Sequence, residues 1–202
     1  MRRGVLFSAV FFLAVSLAAC AEALEPGVSI PAQVAQVKMK NIDGKEVSIA
    51  DVKGANGTLV VFSCNHCPWA KAWEQRIVDL GNALSPKGIG VLMINSNDPA
   101  AYAEDRFEVM VERSKARGIR FPYVVDATSG VARAFGASHT PEIFLFDAKD
   151  RLVYTGALDD NSENPTAVKQ RYAQEAITAM LAGRPVAVPK TKSIGCSIKF
   201  RS

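Results

Sequence analysis

Two cysteines separated by two residues, Cys64 and Cys67, stand where a predicted strand gives way to a predicted helix. Residues 58–62 are apolar and β-branched on both faces, which is typical of a buried central strand. After Pro68, apolar residues recur at helical spacing, at Trp69, Trp73, Ile77, Leu80 and Leu84. A strand leading into a helix favours an α/β domain, in which sites lie at the carboxyl edge of the sheet.

The C-x-x-C pair has the spacing that redox chemistry requires. The partial positive charge of a helix N-terminus stabilises a thiolate, so we expect a lowered pKa for Cys64, which would then be the attacking sulfur. Cys67 lies one helical turn away and would attack the mixed disulfide that Cys64 forms with a substrate. His66, between them, is expected to be cationic near neutral pH and to favour the Cys64 thiolate further.

Two structural explanations of the pair compete with redox use. A structural zinc site usually needs a second cysteine pair or two histidines, and this chain has only His66 and His139. A structural disulfide between Cys64 and Cys67 would close too small a loop to stabilise much. The pattern favours redox use and predicts no metal ion and no cofactor.

The rest of the chain predicts a mixed central sheet flanked by helices, with an N-terminal β-hairpin extension. The hairpin spans residues 37–49 and a second buried strand spans 89–94. Further strands are expected at 121–125, 142–146 and 152–155, and further helices at 102–117, 129–135 and 165–183.

A proline at the start of a strand adds a second motif to the cysteine pair. Thr140 and Pro141 directly precede the buried strand 142–146, where a proline often marks a special turn. Together with Cys64 and Cys67, they make the chain resemble the thioredoxin-like superfamily. It is most similar to the peroxiredoxin-like redoxin branch, which includes the alkyl hydroperoxide reductase and thiol-specific antioxidant group. The resemblance implies a cis-proline at Pro141 that faces the redox pair and offers backbone hydrogen bonds to a substrate chain.

The sequence also departs from its relatives in that superfamily. Thioredoxin is expected to have Gly-Pro between its cysteines, whereas Asn65 and His66 stand here, closer to the motif of disulfide isomerases. True peroxiredoxins carry Pro-x-x-x-Thr-x-x-Cys, and neither Cys64 nor Cys67 is preceded by that pattern. The peroxidase signature is therefore absent.

The N-terminus predicts export. Arg2 and Arg3 precede an apolar run over residues 5–19, which is typical of a secretory signal. Leu17-Ala18-Ala19 before Cys20 resembles a lipobox, in which the peptidase cuts before a cysteine that carries lipid; ordinary cleavage after Ala21 or Ala23 is the alternative. We expect a periplasmic lipoprotein, anchored to the membrane through Cys20. The predicted divisions are a lipoprotein-type signal peptide (1–19), a linker (20–34), a thioredoxin-like domain (35–183) and a C-terminal tail (184–202).

Charge and the remaining cysteine limit the partners. The formal charge is +4 at pH 7 and the chain has no block of lysine and arginine, so nucleic acid is not an expected partner. Cys196 in the tail is either a third, resolving thiol or an inert thiol packed by Ile194 and Ile198.

These observations rank three functions. The leading prediction is a thiol-disulfide oxidoreductase of the cell envelope that acts on thiol or disulfide proteins and is served by an unknown electron donor. The second is a thiol-dependent peroxidase in which Cys64 becomes a sulfenic acid. The third is a copper chaperone similar to the Sco type, with Cys64, Cys67 and His139 as ligands, although Sco cysteines are expected to be three residues apart.

Overall fold

A seven-stranded mixed sheet forms the centre of the protein. The computed structural model describes residues 23–201. In the sheet the strand order is β2-β1-β5-β4-β3-β7-β8, with β3, β4 and β5 parallel and the other pairings antiparallel. The strands are β1 (Met39–Asn41), β2 (Glu46–Val47), β3 (Gly57–Phe62), β4 (Ile89–Asn95), β5 (Tyr123–Val125), β6 (His139–Thr140), β7 (Glu142–Phe146), β8 (Leu152–Gly156) and β9 (Cys196–Ser197). Strands β6 and β9 pair separately, antiparallel to each other. The predicted hairpin extension and mixed sheet are confirmed.

Helices cover both faces of this sheet. They are α1 (Ala32–Ala35), α2 (Pro68–Asn82), α3 (Phe107–Arg117), α4 (Gly130–Phe135) and α5 (Tyr172–Leu181). Alternate residues of β3 enter different cores: Leu59 and Val61 pack with α2, α3 and α5, whereas Val60 and Phe62 pack with α1 and α4. Since β3 is buried on both faces, its end is held rigidly where the cysteines begin.

Two predicted helices are shorter than expected. The helix predicted from residue 102 begins at Phe107, after a 3-10 turn at Ala103–Asp105, and Arg106 between them is extended. The turn directs the buried side chain of Asp105 inward, a tertiary contact that overrides helical propensity.

The helix predicted over 165–183 is reduced in the same way. A 3-10 turn at Pro165–Ala167 replaces its beginning, and α5 starts at Tyr172. The side chain of Asn164 caps only that turn, by accepting from the amide of Thr166. Asp160 holds the segment between this turn and α5 outside the helix, because it bonds to the backbone of Lys169 and Gln170.

Both segments outside the predicted domain pack against it. In the segment predicted as a linker, Val28 lies along Leu152, whose amide donates to the Val28 carbonyl at 2.8 Å. In the tail, Lys190 bridges to Thr155 and Ile198 is buried. The predicted signal peptide and Cys20 lie outside the described residues. Within residues 23–201, no helix is long and apolar enough to cross a bilayer.

Candidate functional site

The loop between β3 and α2 carries the cysteine pair. Strand β3 ends at Phe62, Cys67 is the N-cap residue of α2, and Pro68 occupies the first helical position, where its missing N–H costs nothing. The thiols of Cys64 and Cys67 are free and buried, with exposures of 4% and 0%. The predicted placement of the pair between strand and helix is what the structure has.

Thr140 contacts both sulfurs from the opposite side of the site. Its hydroxyl lies 3.0 Å from the Cys64 Sγ, and its carbonyl lies 3.2 Å from the Cys67 Sγ and accepts from that thiol when it is protonated. The Thr140–Pro141 peptide bond is cis. The structure therefore brings together four of the residues singled out in the sequence, across the gap between α2 and β7.

The thiolate of the reduced pair is better stabilised on Cys67 than on Cys64. A hydrogen bond from the Cys64 thiol is the largest cause that holds the pKa of Cys67 well below its usual range. Burial opposes this shift, but the Cys196 thiol and the amides of Ala70 and Cys196 also donate to that sulfur. These donors outnumber the single acceptor, the Thr140 carbonyl, so we assign the charge to Cys67.

The pKa of Cys64 is raised, opposite to the direction expected from the sequence. Its hydrogen bond to Cys67 is the largest cause, followed by burial and by the negative charge of Asp105, while the Thr140 hydroxyl lowers it. His66 does not supply the expected free cation, because its Nδ1 lies 2.6 Å from the Asp105 carboxylate. The positive end of α2 serves Cys67, which caps the helix, rather than Cys64 three residues earlier.

Asp105 is a functional residue that the sequence analysis missed. Its buried carboxylate accepts from the amide of Asn65 at 2.6 Å and from the side chain of Asn97 at 2.9 Å, in addition to its contact with His66. The Asn65 side chain is fixed in turn, because its amide donates to the Glu104 carbonyl. One carboxylate thus sets the shape of the whole loop. The acidic pair at 104–105 was the only sequence signal for it.

Two exposed aromatic side chains flank the loop. Tyr102 stacks on His66, with ring centroids 3.8 Å apart and planes 3° from parallel. Trp69, predicted to lie on the buried stripe of α2, is 38% exposed instead, while Trp73 one turn later is buried. The buried side of that first turn carries Ala70 instead, which is 2% exposed and also lies at helical spacing from Trp73.

The C-terminal tail covers the site. Strand β9 pairs with β6 so that Cys196 lies opposite Thr140, and the Cys196 amide donates to the Cys67 Sγ at 3.4 Å. Cys196 itself is partly exposed rather than fully buried. Glu142, also missed in the sequence, ties the parts together, because its carboxylate accepts from the Ser193 hydroxyl and from amides of the segment before Pro141.

One group of side chains has the composition of a metal site. Donor atoms of Cys64, His66 and Asp105 lie within 4.8 Å of one another, and sulfur, imidazole and carboxylate are zinc ligands. A bound ion would have to displace the contact between His66 and Asp105. His139, the ligand required by the copper hypothesis, does not belong to this group, and its Nδ1 lies 2.8 Å from the Ser138 hydroxyl.

Known structures resemble the whole domain. An uncharacterized conserved protein from Geobacillus kaustophilus is 38% identical, with a TM-score of 0.80, covering 88% of this chain and 93% of its own. A hypothetical protein from Sinorhizobium meliloti 1021 is 32% identical, with a TM-score of 0.81 and coverages of 90% and 97%. A peroxidoxin from Mycobacterium tuberculosis, at 14% identity and a TM-score of 0.59 with coverages of 80% and 99%, shares the fold.

The sequence comparisons give the family. A search of the curated proteins returned no match. The family model described as the AhpC/TSA family matches residues 30–155, which is more than half of the chain. The matched region contains the pair, the cis-proline and Asp105. The chain therefore belongs to the AhpC/TSA family, the thioredoxin-like redoxins that its sequence resembles, and has their α/β fold.

Proposed function

We propose that this protein is a thiol-disulfide oxidoreductase of the cell envelope that exchanges disulfides through Cys64 and Cys67. One observation carries the proposal: the two free sulfurs, which lie at the N-terminus of α2, both contact Thr140. The two thiols also share a hydrogen bond, which places them where they can form a disulfide and reopen it.

Accessibility assigns the roles of the two sulfurs. Cys64 retains a little exposure and Cys67 has none, so Cys64 attacks the substrate disulfide. As its sulfur bonds to one substrate sulfur and the substrate S–S bond breaks, the proton of Cys64 passes to the Cys67 thiolate, its hydrogen-bond partner. The other substrate sulfur leaves as a thiolate.

The second step closes the cycle on the protein. Cys67 attacks the Cys64 sulfur of the mixed disulfide, the bond to substrate breaks, and the leaving sulfur takes up the proton released by Cys67. The substrate gains two electrons and is reduced to one thiol and one thiolate, which takes its proton from water, while the pair becomes a disulfide. The same steps in reverse oxidise a dithiol substrate.

The sequence before the pair supports disulfide exchange rather than peroxide reduction. The proline and threonine that precede the reactive cysteine of true peroxiredoxins do not precede Cys64 or Cys67. A second thiol that bonds to Cys64 is what disulfide exchange requires. We expect reduced protein to exchange with disulfides faster than it consumes hydrogen peroxide, and the opposite order would favour the peroxidase alternative.

The proposed substrates are proteins. Trp69 and Tyr102 expose aromatic surface beside the pair, and aromatic side chains are enriched in protein interfaces. The Trp69→Ala variant should weaken exchange with a disulfide protein while leaving exchange with oxidised glutathione nearly unchanged. Equal losses with both substrates would argue against a protein substrate.

A redox titration tests the proposed activity. In glutathione buffers, Cys196→Ser and Cys196→Ser combined with Cys20→Ser should each show one two-electron couple, while Cys64→Ser and Cys67→Ser made in the Cys196→Ser background should show none. Cys20→Ser is the matched control, because it removes a cysteine outside the proposed pair. A couple that persists in Cys64→Ser combined with Cys196→Ser, or a pair that stays reduced across the range in Cys196→Ser, would contradict the assignment.

The envelope location depends on the N-terminal pattern around Cys20. Labelling of cells with radioactive palmitate, followed by membrane fractionation, tests it. Wild type should carry label and sediment with membranes, whereas Cys20→Ser should carry none. Unlabelled, cytosolic wild type would exclude the lipoprotein proposal while leaving the redox proposal standing.

A further inference from the structure

Strand β9 occupies the edge beside the redox pair in the manner of a bound peptide. It pairs antiparallel with β6, with Cys196 opposite Thr140. Addition of an extended chain to an exposed sheet edge is a common way to bind peptides, since the backbone supplies affinity and side chains supply specificity. Here the chain's own tail fills that edge, and it presents a cysteine.

The thiol of that cysteine contacts the pair. Cys196 donates to the Cys67 sulfur through its amide, at 3.4 Å, and through its thiol. The three cysteines form one small cluster together with Ala70. Cys196 is the partly exposed member of this cluster, while Cys64 and Cys67 are buried.

The tail is fitted to this position along its length. A side chain at Gly195 would place its Cβ 2.2 Å from the Thr140 carbonyl oxygen, so the close approach of β9 requires glycine there. On the other side of Cys196, the Lys199 amide donates to the Asn97 side chain at 2.8 Å. Anchors before and after Cys196 fix its register against the pair.

From this geometry we propose that Cys196 is a third redox thiol, and that β9 serves as an intramolecular substrate of the pair. The proposal rests on the proposed function, because it requires Cys64 and Cys67 to form a reversible disulfide. The Cys196 thiolate attacks the Cys67 sulfur, the Cys67–Cys196 bond forms, and the Cys64–Cys67 bond breaks. Cys64 leaves as a thiolate and takes up the proton that Cys196 lost, so no further oxidant is needed.

The exchange carries the disulfide outward. After the step, the oxidised bond includes the partly exposed Cys196, which an external thiol reaches more readily than the buried pair.

The acidity of the Cys196 thiol depends on the redox state of the pair. Burial and the hydrogen bond and charge of Cys67 raise the pKa of Cys196 in the reduced protein, and the last two disappear when Cys67 is in a disulfide. Cys196 therefore becomes a better nucleophile when the pair is oxidised.

Tryptic mapping of the oxidised protein tests the proposal directly. Cys64 and Cys67 share the peptide 54–71, and Cys196 lies in the peptide 193–199, so a Cys67–Cys196 bond links two peptides whereas a Cys64–Cys67 bond links none. In a Cys20→Ser background, the Cys64→Ser variant keeps Cys67 and Cys196 as its cysteines. Treated with dithiobis(nitrobenzoate), it should lose both thiols and form the linked peptides within one molecule, with no thionitrobenzoate retained. Retained adducts on both cysteines would overturn the proposal.

A matched control moves the thiol by one residue. Neighbouring residues of a strand point to opposite sides. Cys196→Ser combined with Ser197→Cys therefore keeps the number of cysteines but directs the thiol away, and it should lose the linked peptide. Linkage equal to that of wild type would show that the tail is not held in register.

Peptide maps of the wild type distinguish failure of the Cys196 proposal from failure of the proposed function. Oxidised wild type should give both the internally bonded peptide 54–71 and the linked pair of peptides, and Cys196→Ser should give only the first. If the pair oxidises but no linked peptide forms in wild type or in Cys64→Ser, the role of Cys196 is wrong and the proposed function stands. If Cys64 and Cys67 never bond, even in Cys196→Ser, the proposed function itself fails.

Discussion

Replacement of Asp105 tests the central structural claim, that one buried carboxylate shapes the redox loop. Asp105→Ala removes the acceptor for His66 and for the Asn65 amide, both 2.6 Å away, and for Asn97 at 2.9 Å. A buried donor that loses its acceptor costs about 1–3 kcal/mol, so the loss of three such contacts should cost at least about 3 kcal/mol. With a urea m-value of about 2 kcal/mol/M, the unfolding midpoint should fall by at least about 1.5 M.

The assay is urea unfolding followed by tryptophan fluorescence, with Glu104→Ala as the matched control. Glu104 is the neighbouring exposed carboxylate, and its replacement should change stability by less than about 0.5 kcal/mol. Asp105→Asn keeps the shape and loses the charge that raises the pKa of Cys64, so alkylation of Cys64 should shift to lower pH. A loss below about 1 kcal/mol in Asp105→Ala, together with an unchanged alkylation profile in Asp105→Asn, would refute the reasoning.

Three further predictions follow from the geometry. Reduced wild type should show thiolate absorbance at 240 nm at pH 7, because the lowered pKa of Cys67 leaves its sulfur charged until the pH falls through that pKa. Cys67→Ser should lose this signal. Absorbance that appears only in alkaline solution would contradict the assignment. Gly90→Ala should destabilise the fold by about 1–3 kcal/mol, because its Cβ would lie 1.6 Å from the Val52 carbonyl oxygen; thermal unfolding measures this, and an unchanged midpoint would be contrary evidence. Arg76→Ala should cost about 3–5 kcal/mol in urea, since the buried Asp159 carboxylate would lose its cation; Arg76→Lys should restore part of the loss, and equal losses in both variants would count against the ion pair.

Local pattern predicted the parts of this protein that depend on neighbouring residues. The apolar run of β3 marked a buried strand, and it lies in the centre of the sheet. The Asn41–Gly44 turn marked the hairpin, and β1 and β2 form it. These elements are fixed by periodicity and turn chemistry, which a single sequence shows directly.

The wrong predictions concern features that depend on long-range contacts. The helix predicted from residue 102 was interrupted because Asp105 turns into the redox loop, which lies about forty residues earlier in the chain. Trp69 has helical spacing from Trp73, but only Trp73 reaches the core. Ala70 also has helical spacing from Trp73 and is buried in place of Trp69, and spacing alone does not tell which of the two faces the core.

The sequence by itself determined the fold class and the chemical pair, because a C-x-x-C between a buried strand and a helix is a local arrangement with few structural solutions. Only the tertiary structure decided which sulfur holds the charge. The two sulfurs are each other's largest influence, but further donors to Cys67 come from the tail, and the carboxylate beside Cys64 comes from a distant turn. Sulfur acidity depends on the sum of such contacts across space, and residues far apart in sequence supply several of them.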